Sequence, residues 1–373
     1  MIKIIEQNSN KKLNQNSIHN IDTNYPSLSI AIPTYNESVH IEKLIRDFLS
    51  TKYQNLIEIF VADGGSTDGT QDIVQKLSTE DPRVKLIHNP EKIQSAGLNL
   101  IIKESTGDIF LRADAHSDYA SDYIEKCVEA LLKSKALNVG GAQRFVAKNA
   151  FQSGIALATK SLLGSGGAKY RNPNYHGYAD TVYLGCFWRK VLVDIGGFDT
   201  ILINNEDAEL NQKLLTKSHQ AIYISSDIKV WYYPRKNWKS LFIQYLKYGR
   251  GRYLTATKHR QQLQIRGKLP FLVLSVIFSM MLIDLIVPQM GLPMEKVIII
   301  GLLIPFLESF RVTCKFADNL NTEIWQGSED SLPSYLSVWF FCGLSLLTMP
   351  FAHFCGYTYQ MLKRKLIVVF QRC

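Results

Sequence analysis

The chain has 373 residues, 46% of them hydrophobic, which is enough for a sizeable core and more than one structural unit. A net charge of +9 and a pI near 9.1 leave nucleic acid, anionic lipid or phosphorylated substrates as partners. The six cysteines (Cys127, Cys186, Cys314, Cys342, Cys355, Cys373) form no CxxC pair and no zinc spacing with histidine, so reduced thiols are expected.

The opening stretch, "MIKIIEQNSNKKLNQN", has no apolar run of the kind a cleavable signal peptide needs. Residues 1–25 read as a mobile tail. "LSIAIPTYNES" (28–38) is a strand ending at Pro33. In the helix that follows, Ile41, Leu44, Ile45, Phe48 and Leu49 share one face, with Ser38 as its cap. "IEIFVA" (57–62) is a second strand, ending on Asp63. The next helix starts near Asp68, with Gln71 three residues on as in a capping box and Ile73, Val74 and Leu77 facing inward. "VKLIH" (84–88), a helix over 93–105 and "IFLRA" (109–113) continue the alternation, and a helix over 121–134 follows. Strands alternating with helices of this length imply a mostly parallel, covered sheet.

The pattern loosens over 139–190. Residues 162–178 are rich in Gly and Asn and suggest a substrate loop. Strand character returns at "TVYLGCFW" (181–188), a helix begins near Asp207, and "AIYISSDIKVWYYPR" reads as two short strands. Over 238–254 Trp238, Leu241, Phe242, Tyr245 and Leu246 share a helical face, which suits core packing or a membrane surface.

Apolar runs occupy 271–287, 297–310 and 335–359. The first and third approach spanning length; the second is short for a lone span. Tyr335, Trp339, Tyr357 and Tyr359 suit interfacial anchoring. Asp284, inside the first run, needs a protein or water partner. Lys258, Arg260, Arg266 and Lys268 precede the first run and orient the catalytic part toward the cytoplasm. Three full crossings would carry Lys363, Arg364 and Lys365 to the far side, against the same tendency, so one run is expected to be re-entrant or only interfacial. The basic residues cluster beside apolar runs rather than on an aromatic-studded sheet, which argues against nucleic acid.

Four acidic sites stand out: Glu37, Asp63, Asp114 and the pair Glu206–Asp207. The first three follow strands of one sheet and fall on its ligand-binding edge. Together, "IPTYNES", "VADGGSTDGT", "RADAH" and "NNEDAELNQKL" resemble the motifs of inverting family 2 glycosyltransferases of the GT-A fold. With "YADTVYLGCFWRKVLVDIGGFD", "YYPR", "QYLKYGRGR" and the apolar C-terminal part, the chain is similar to bacterial succinoglycan-type exopolysaccharide glucosyltransferases. The resemblance covers about 28–255.

It implies a Rossmann-like α/β GT-A domain over 26–237, an amphipathic basic segment over 238–268, and a membrane segment of two or three helices over 269–373. It also implies a bacterial inner membrane, a UDP-sugar donor and a lipid-linked saccharide acceptor. Pro33, Tyr35, Glu37 and Asp63 would line the nucleotide pocket, with Asp63 bonded to uracil or ribose and Asp68 left as a cap. Gly64 stands where the family often has a second aspartate. Asp114 matches the first aspartate of the metal-binding DxD motif, and His116 stands where the second would be. Mn²⁺ or Mg²⁺ is the implied cofactor, an imidazole ligand favouring Mn²⁺. Asp118 is a weaker ligand candidate, and His116 also reads as a plain loop histidine. Asp207 matches the catalytic base, with Glu206 or a mere helix cap as the alternatives. Gln244 and Arg250 fit the QxxRW motif of processive synthases loosely, without its Trp. Arg250, Arg252 or Arg235 would bind diphosphate, or form a solvated basic face.

Overall fold

The computed structural model describes residues 25–201, 205–258, 268–287 and 293–370. The tail expected over 1–25 lies outside these apart from Tyr25, as do Arg260, Arg266 and Cys373. The five described cysteines are free thiols.

The first half alternates as its sequence predicts. Strands β1 (Leu28–Thr34), β2 (Leu56–Asp63), β3 (Val84–His88) and β4 (Ile109–Arg112) are joined by helices α1 (Ile41–Leu49), α2 (Thr70–Glu80) and α3 (Gln94–Glu104). The four strands pair in parallel in the order β3-β2-β1-β4. Leu28, Ile30 and Ile32 are wholly buried, as a sheet covered on both faces requires. Ile41, Leu44, Ile45 and Phe48 form the buried face of α1.

After β4 come β5 (Ser117–Tyr119), α4 (Tyr123–Ser134), β6 (Asn138–Phe145), α5 (Ala150–Lys160), α6 (Leu162–Ser165), β7 (Gly177–Tyr178), β8 (Tyr183–Trp188), α7 (Arg189–Asp194), α8 (Glu206–Lys217) and β9 (Ile222–Tyr232). β8 pairs antiparallel with β4 and with β6, and β9 runs parallel to β6. β1, β2, β4, β6 and β9 therefore all end at one edge. Where two short strands are expected, β9 is one element. Its register against β6 jumps between Gly140↔Ile224 and Ala142↔Lys229, so the intervening "SSDI" bulges away.

The helix starts differ from expectation. Asn205, with φ +82°, precedes α8, and His40 precedes α1; neither has a side-chain cap. Asp68 accepts from the Ser38 and Thr70 backbone N–H groups and so ties the two loops together. Gln71 closes no capping box; its amide donates to Asp63 (2.7 Å).

Helix α9 (Trp238–Lys258) leads into α10 (Leu269–Ile286), α11 (Met294–Lys315), the single turn α12 (Ala317–Asn319) and α13 (Tyr335–Phe370). Three of these, over 269–286, 294–315 and 335–365, are long and apolar enough to cross a membrane. The second run is thus longer than its uninterrupted apolar stretch suggests.

A second apolar cluster joins α5, α9, α11 and α13 through Phe151, Leu241, Val312, Val338 and Leu346. α13 lies against α5 and α9 at glycine contacts. A Cβ on Gly249 would fall on the His353 carbonyl oxygen, and one on Gly356 on the Leu246 carbonyl oxygen. Only glycine permits backbones so close.

Candidate active site

The site forms at the shared edge where β1, β2 and β4 end. Asp63 closes β2, opposite Thr34 of β1. It is 1% exposed. Its Oδ2 accepts from the Gly65 N–H (2.8 Å), the Ser66 N–H (2.9 Å) and the Gln71 amide (2.7 Å), while the Ser66 hydroxyl donates to Oδ1. Both oxygens are engaged by the 65–71 turn, so Asp63 shapes the loop at this edge.

Asn36, with φ +55°, starts the facing loop. Its side-chain oxygen accepts from the Thr67 N–H and its own N–H donates to the Ser66 hydroxyl. An asparagine tolerates the left-handed conformation better than most residues. These bonds hold the loop that carries Tyr35 and Glu37 against the loop after β2. Tyr35 is 57% exposed, with its ring beside Gly64. Pro33 is half-buried at the end of β1.

β4 ends on Arg112, and the chain turns at once through Asp114 and His116. Arg112 is 3% exposed, yet it faces three carboxylates. Its guanidinium bonds Asp207, lies 3.5 Å from Asp114 and 3.8 Å from Glu206. Gln94, the first residue of α3, joins the group: with its amide oriented to satisfy both atoms, it accepts from Arg112 (2.8 Å) and donates to Glu206 (3.2 Å). The Asp114 N–H donates to the Tyr119 hydroxyl (2.7 Å), which fixes the turn.

The two acids at the start of α8 differ in access. The Glu206 side chain is 10% exposed and that of Asp207 is 41% exposed. Burial, reinforced by the neighbouring Asp207 charge, pushes the Glu206 carboxyl up to about 7 against the pull of Arg112. Burial pushes the Asp207 carboxyl up as well, with Arg112 opposing the rise and Asp114 adding to it.

His116 places Nδ1 3.3 Å from Glu37 Oε1. That contact raises its basicity above the ordinary imidazole value, with Asp114 adding to the effect and burial and Arg235 opposing it. Asp118 turns elsewhere: it accepts from the Tyr233 hydroxyl (2.8 Å) and lies near Lys43. Among the described residues, no three His, Cys, Asp or Glu side chains converge to hold a metal on their own.

Arg250 does not join this cluster. Its Nε donates to Gln360 (3.3 Å) and its guanidinium covers the Tyr359 ring, both on α13. The first half of α9 does reach toward the site, since Gln244 donates to the Tyr232 hydroxyl (3.1 Å) and the Tyr232 ring lies 6.4 Å from that of His116. Arg112 and Gln94 are the site residues that the sequence reading missed. Arg112 stands in "RADAH", where a charged residue closing a buried strand was the available signal.

Residues 29–191 match the family model described as glycosyl transferase family 2. The chain is 38% identical over 255 residues to the succinoglycan biosynthesis protein ExoA of Rhizobium meliloti, covering 68% of this chain and 77% of that one. It is 27% identical over 269 residues to the dolichyl N-acetyl-α-D-glucosaminyl phosphate 3-β-D-2,3-diacetamido-2,3-dideoxy-β-D-glucuronosyltransferase of Methanococcus voltae (70% of this chain, 83% of the relative). In fold it is similar to a mannosyltransferase of Pyrobaculum calidifontis solved with GDP-mannose and Mn²⁺. The TM-score is 0.50 at 15% identity, over 90% of this chain and 87% of that one.

Proposed function

The chain belongs to glycosyl transferase family 2, and on that premise we propose that it transfers one hexose from a UDP-sugar, UDP-glucose first among them, with inversion, to a lipid-pyrophosphate-linked glycan in exopolysaccharide assembly at the bacterial inner membrane. The observation that carries this is the half-exposed Asp207 held by buried Arg112 at the sheet edge where Asp114 and His116 also stand. The ExoA relative is named for succinoglycan biosynthesis and the Methanococcus voltae relative for a dolichyl phosphate-linked sugar. Both names support a glycan acceptor, the second a lipid-linked one.

Inversion is a direct displacement. The acceptor hydroxyl attacks the anomeric carbon, its proton passes to Asp207, and the bond from that carbon to the diphosphate oxygen breaks with its electron pair leaving on UDP. Asp207 suits the base because it is the more accessible of the two acids and is bonded by Arg112; Glu206 is too enclosed to reach an acceptor. Arg112 aims Asp207 and favours its charged form against the effect of burial. Pro33, Tyr35 and Glu37 line the nucleotide side, and Asp63 contributes by fixing the 65–71 turn. A divalent cation, Mn²⁺ or Mg²⁺, would neutralise the charge of the departing diphosphate, with Asp114 and His116 as its protein ligands.

A panel of UDP-sugars, incubated with membranes that contain lipid-linked acceptors, tests this reading. One sugar should add a single hexose to a lipid-extractable product. Long polymer would indicate a processive synthase. Neither transfer nor hydrolysis of any UDP-sugar would indicate an inactive scaffold.

A further inference from the structure

Helix α13 is apolar and long enough to span a bilayer, but its contacts run sideways along the catalytic domain. Phe341 packs on Phe151 and beside Gly154 of α5. Thr348 accepts from the Trp238 indole at the start of α9 (2.9 Å). His353 and Gly356 meet the α9 backbone, and Gln360 bonds Arg250. These contacts extend over 341–360, about 29 Å of helix at about 1.5 Å per residue, which is the thickness of a hydrocarbon core.

If α13 crossed a bilayer, α9 would have to enter with it. α9 carries Lys239, Lys247, Arg250, Arg252 and Lys258, and Lys239 and Lys247 are exposed. Such charges are costly in hydrocarbon. α10 and α11 pack on α13 as well. The Phe271 ring of α10 lies tilted against Tyr357, Phe278 stacks on Phe354, and the Phe306 carbonyl of α11 accepts from the Trp339 indole (3.0 Å). Beyond α11 the chain returns to the catalytic domain, where Ala147 pairs with Trp325.

We propose that only α10 and α11 cross the bilayer, as a hairpin, and that α13 lies along the membrane face against the catalytic domain, where the end of α11 rejoins α5. Two crossings leave Lys363, Arg364 and Lys365 on the catalytic side, which removes the conflict with the positive-inside tendency. Through α9 and its Gln244–Tyr232 bond, the active site then stands about one helix layer above the lipid surface, where a lipid-linked acceptor presents its glycan.

This rests on the membrane reading above, and labelling is read without any activity assay. Reporter cysteines are placed one at a time at Lys52, Lys296, Glu329 and Lys363 in a chain whose Cys314, Cys355 and Cys373 are serine and whose Cys127, Cys186 and Cys342 stay buried. Intact cells and inverted membrane vesicles are treated with an impermeant maleimide. Glu329→Cys and Lys363→Cys should label in the same preparation as Lys52→Cys, and Lys296→Cys in the opposite one. Lys363→Cys labelling opposite to Lys52→Cys, or Lys296→Cys labelling with it, overturns the proposal. If a variant does not accumulate, a tag appended after Cys373 gives the same test: protease should remove it only in preparations where it also cleaves the catalytic domain. Recovery of the chain in the soluble fraction would defeat the membrane reading itself, separately from this arrangement.

Discussion

Arg112, at the end of β4, bonds Asp207, in the first turn of α8, although 95 residues separate them. One buried guanidinium thereby gathers Asp114, from the turn after β4, with Glu206 and Asp207, from the start of α8. Arg112→Met keeps the volume and leaves three carboxylates around an uncharged side chain. Breaking a buried pair this way costs about 3–5 kcal/mol. A clear fall in Tm, with transfer lost, is expected. Arg112→Lys retains the charge without the planar fork and should fold better than Arg112→Met while remaining impaired in transfer. Wild-type stability and rate in Arg112→Met would show that the contact is incidental.

Removal of divalent cations should abolish transfer, and Mn²⁺ should restore it at least as well as Mg²⁺. Asp114→Ala should be inactive at any metal concentration. His116→Asp replaces an imidazole by a hard carboxylate and should shift the preference toward Mg²⁺. Full activity after exhaustive chelation would remove the cation from the mechanism.

The fold of the first half was legible because its helices are amphipathic and its strands alternate with them. Ile41, Leu44, Ile45 and Phe48 are one face by spacing and one buried face in space. β6 and α5 were not legible. Phe151 to Thr159 of α5 are all buried, so no polar face marks the helix period. The covering element is α13, almost two hundred residues further on. Glu37, Asp63, Asp114 and Asp207 could be picked out as acids after predicted strands or at a helix start. Arg112 links the last two: its charge at the end of a buried strand was a signal, but its partner Asp207, 95 positions further on, was not legible. Arg250 shows the limit of spacing. It fits a motif by spacing, but its helix turns that face toward α13.

The chain should sediment with membranes and stay there in 1 M salt, where the screening length is only about 3 Å. Detergent should release it. Release by salt alone would mean that charge, not the apolar surface of α10 and α11, holds it.

Close contact between α9 and α13 depends on Gly249. In Gly249→Ala the new methyl group meets the His353 carbonyl, and the helices must separate. Overpacking of this kind costs about 1–3 kcal/mol, seen as a Tm lower by a few degrees in detergent. Gly301→Ala in α11 meets nothing within 4 Å and serves as the control, with Tm unchanged or raised. Equal Tm values for the two variants would rule out a tight α9–α13 seam.

The most direct measurement compares transfer rate and UDP affinity in Asp207→Asn and Glu206→Gln. Asparagine keeps the size of the aspartate and can still accept from Arg112, but it cannot take a proton. Asp207→Asn should bind UDP with wild-type affinity and transfer about 10² to 10⁴ times more slowly, the usual share of general-base catalysis. Glu206→Gln should lose far less, since burial already favours the protonated acid at that position. Near wild-type turnover in Asp207→Asn, with collapse in Glu206→Gln, would contradict the assignment of Asp207 as the base.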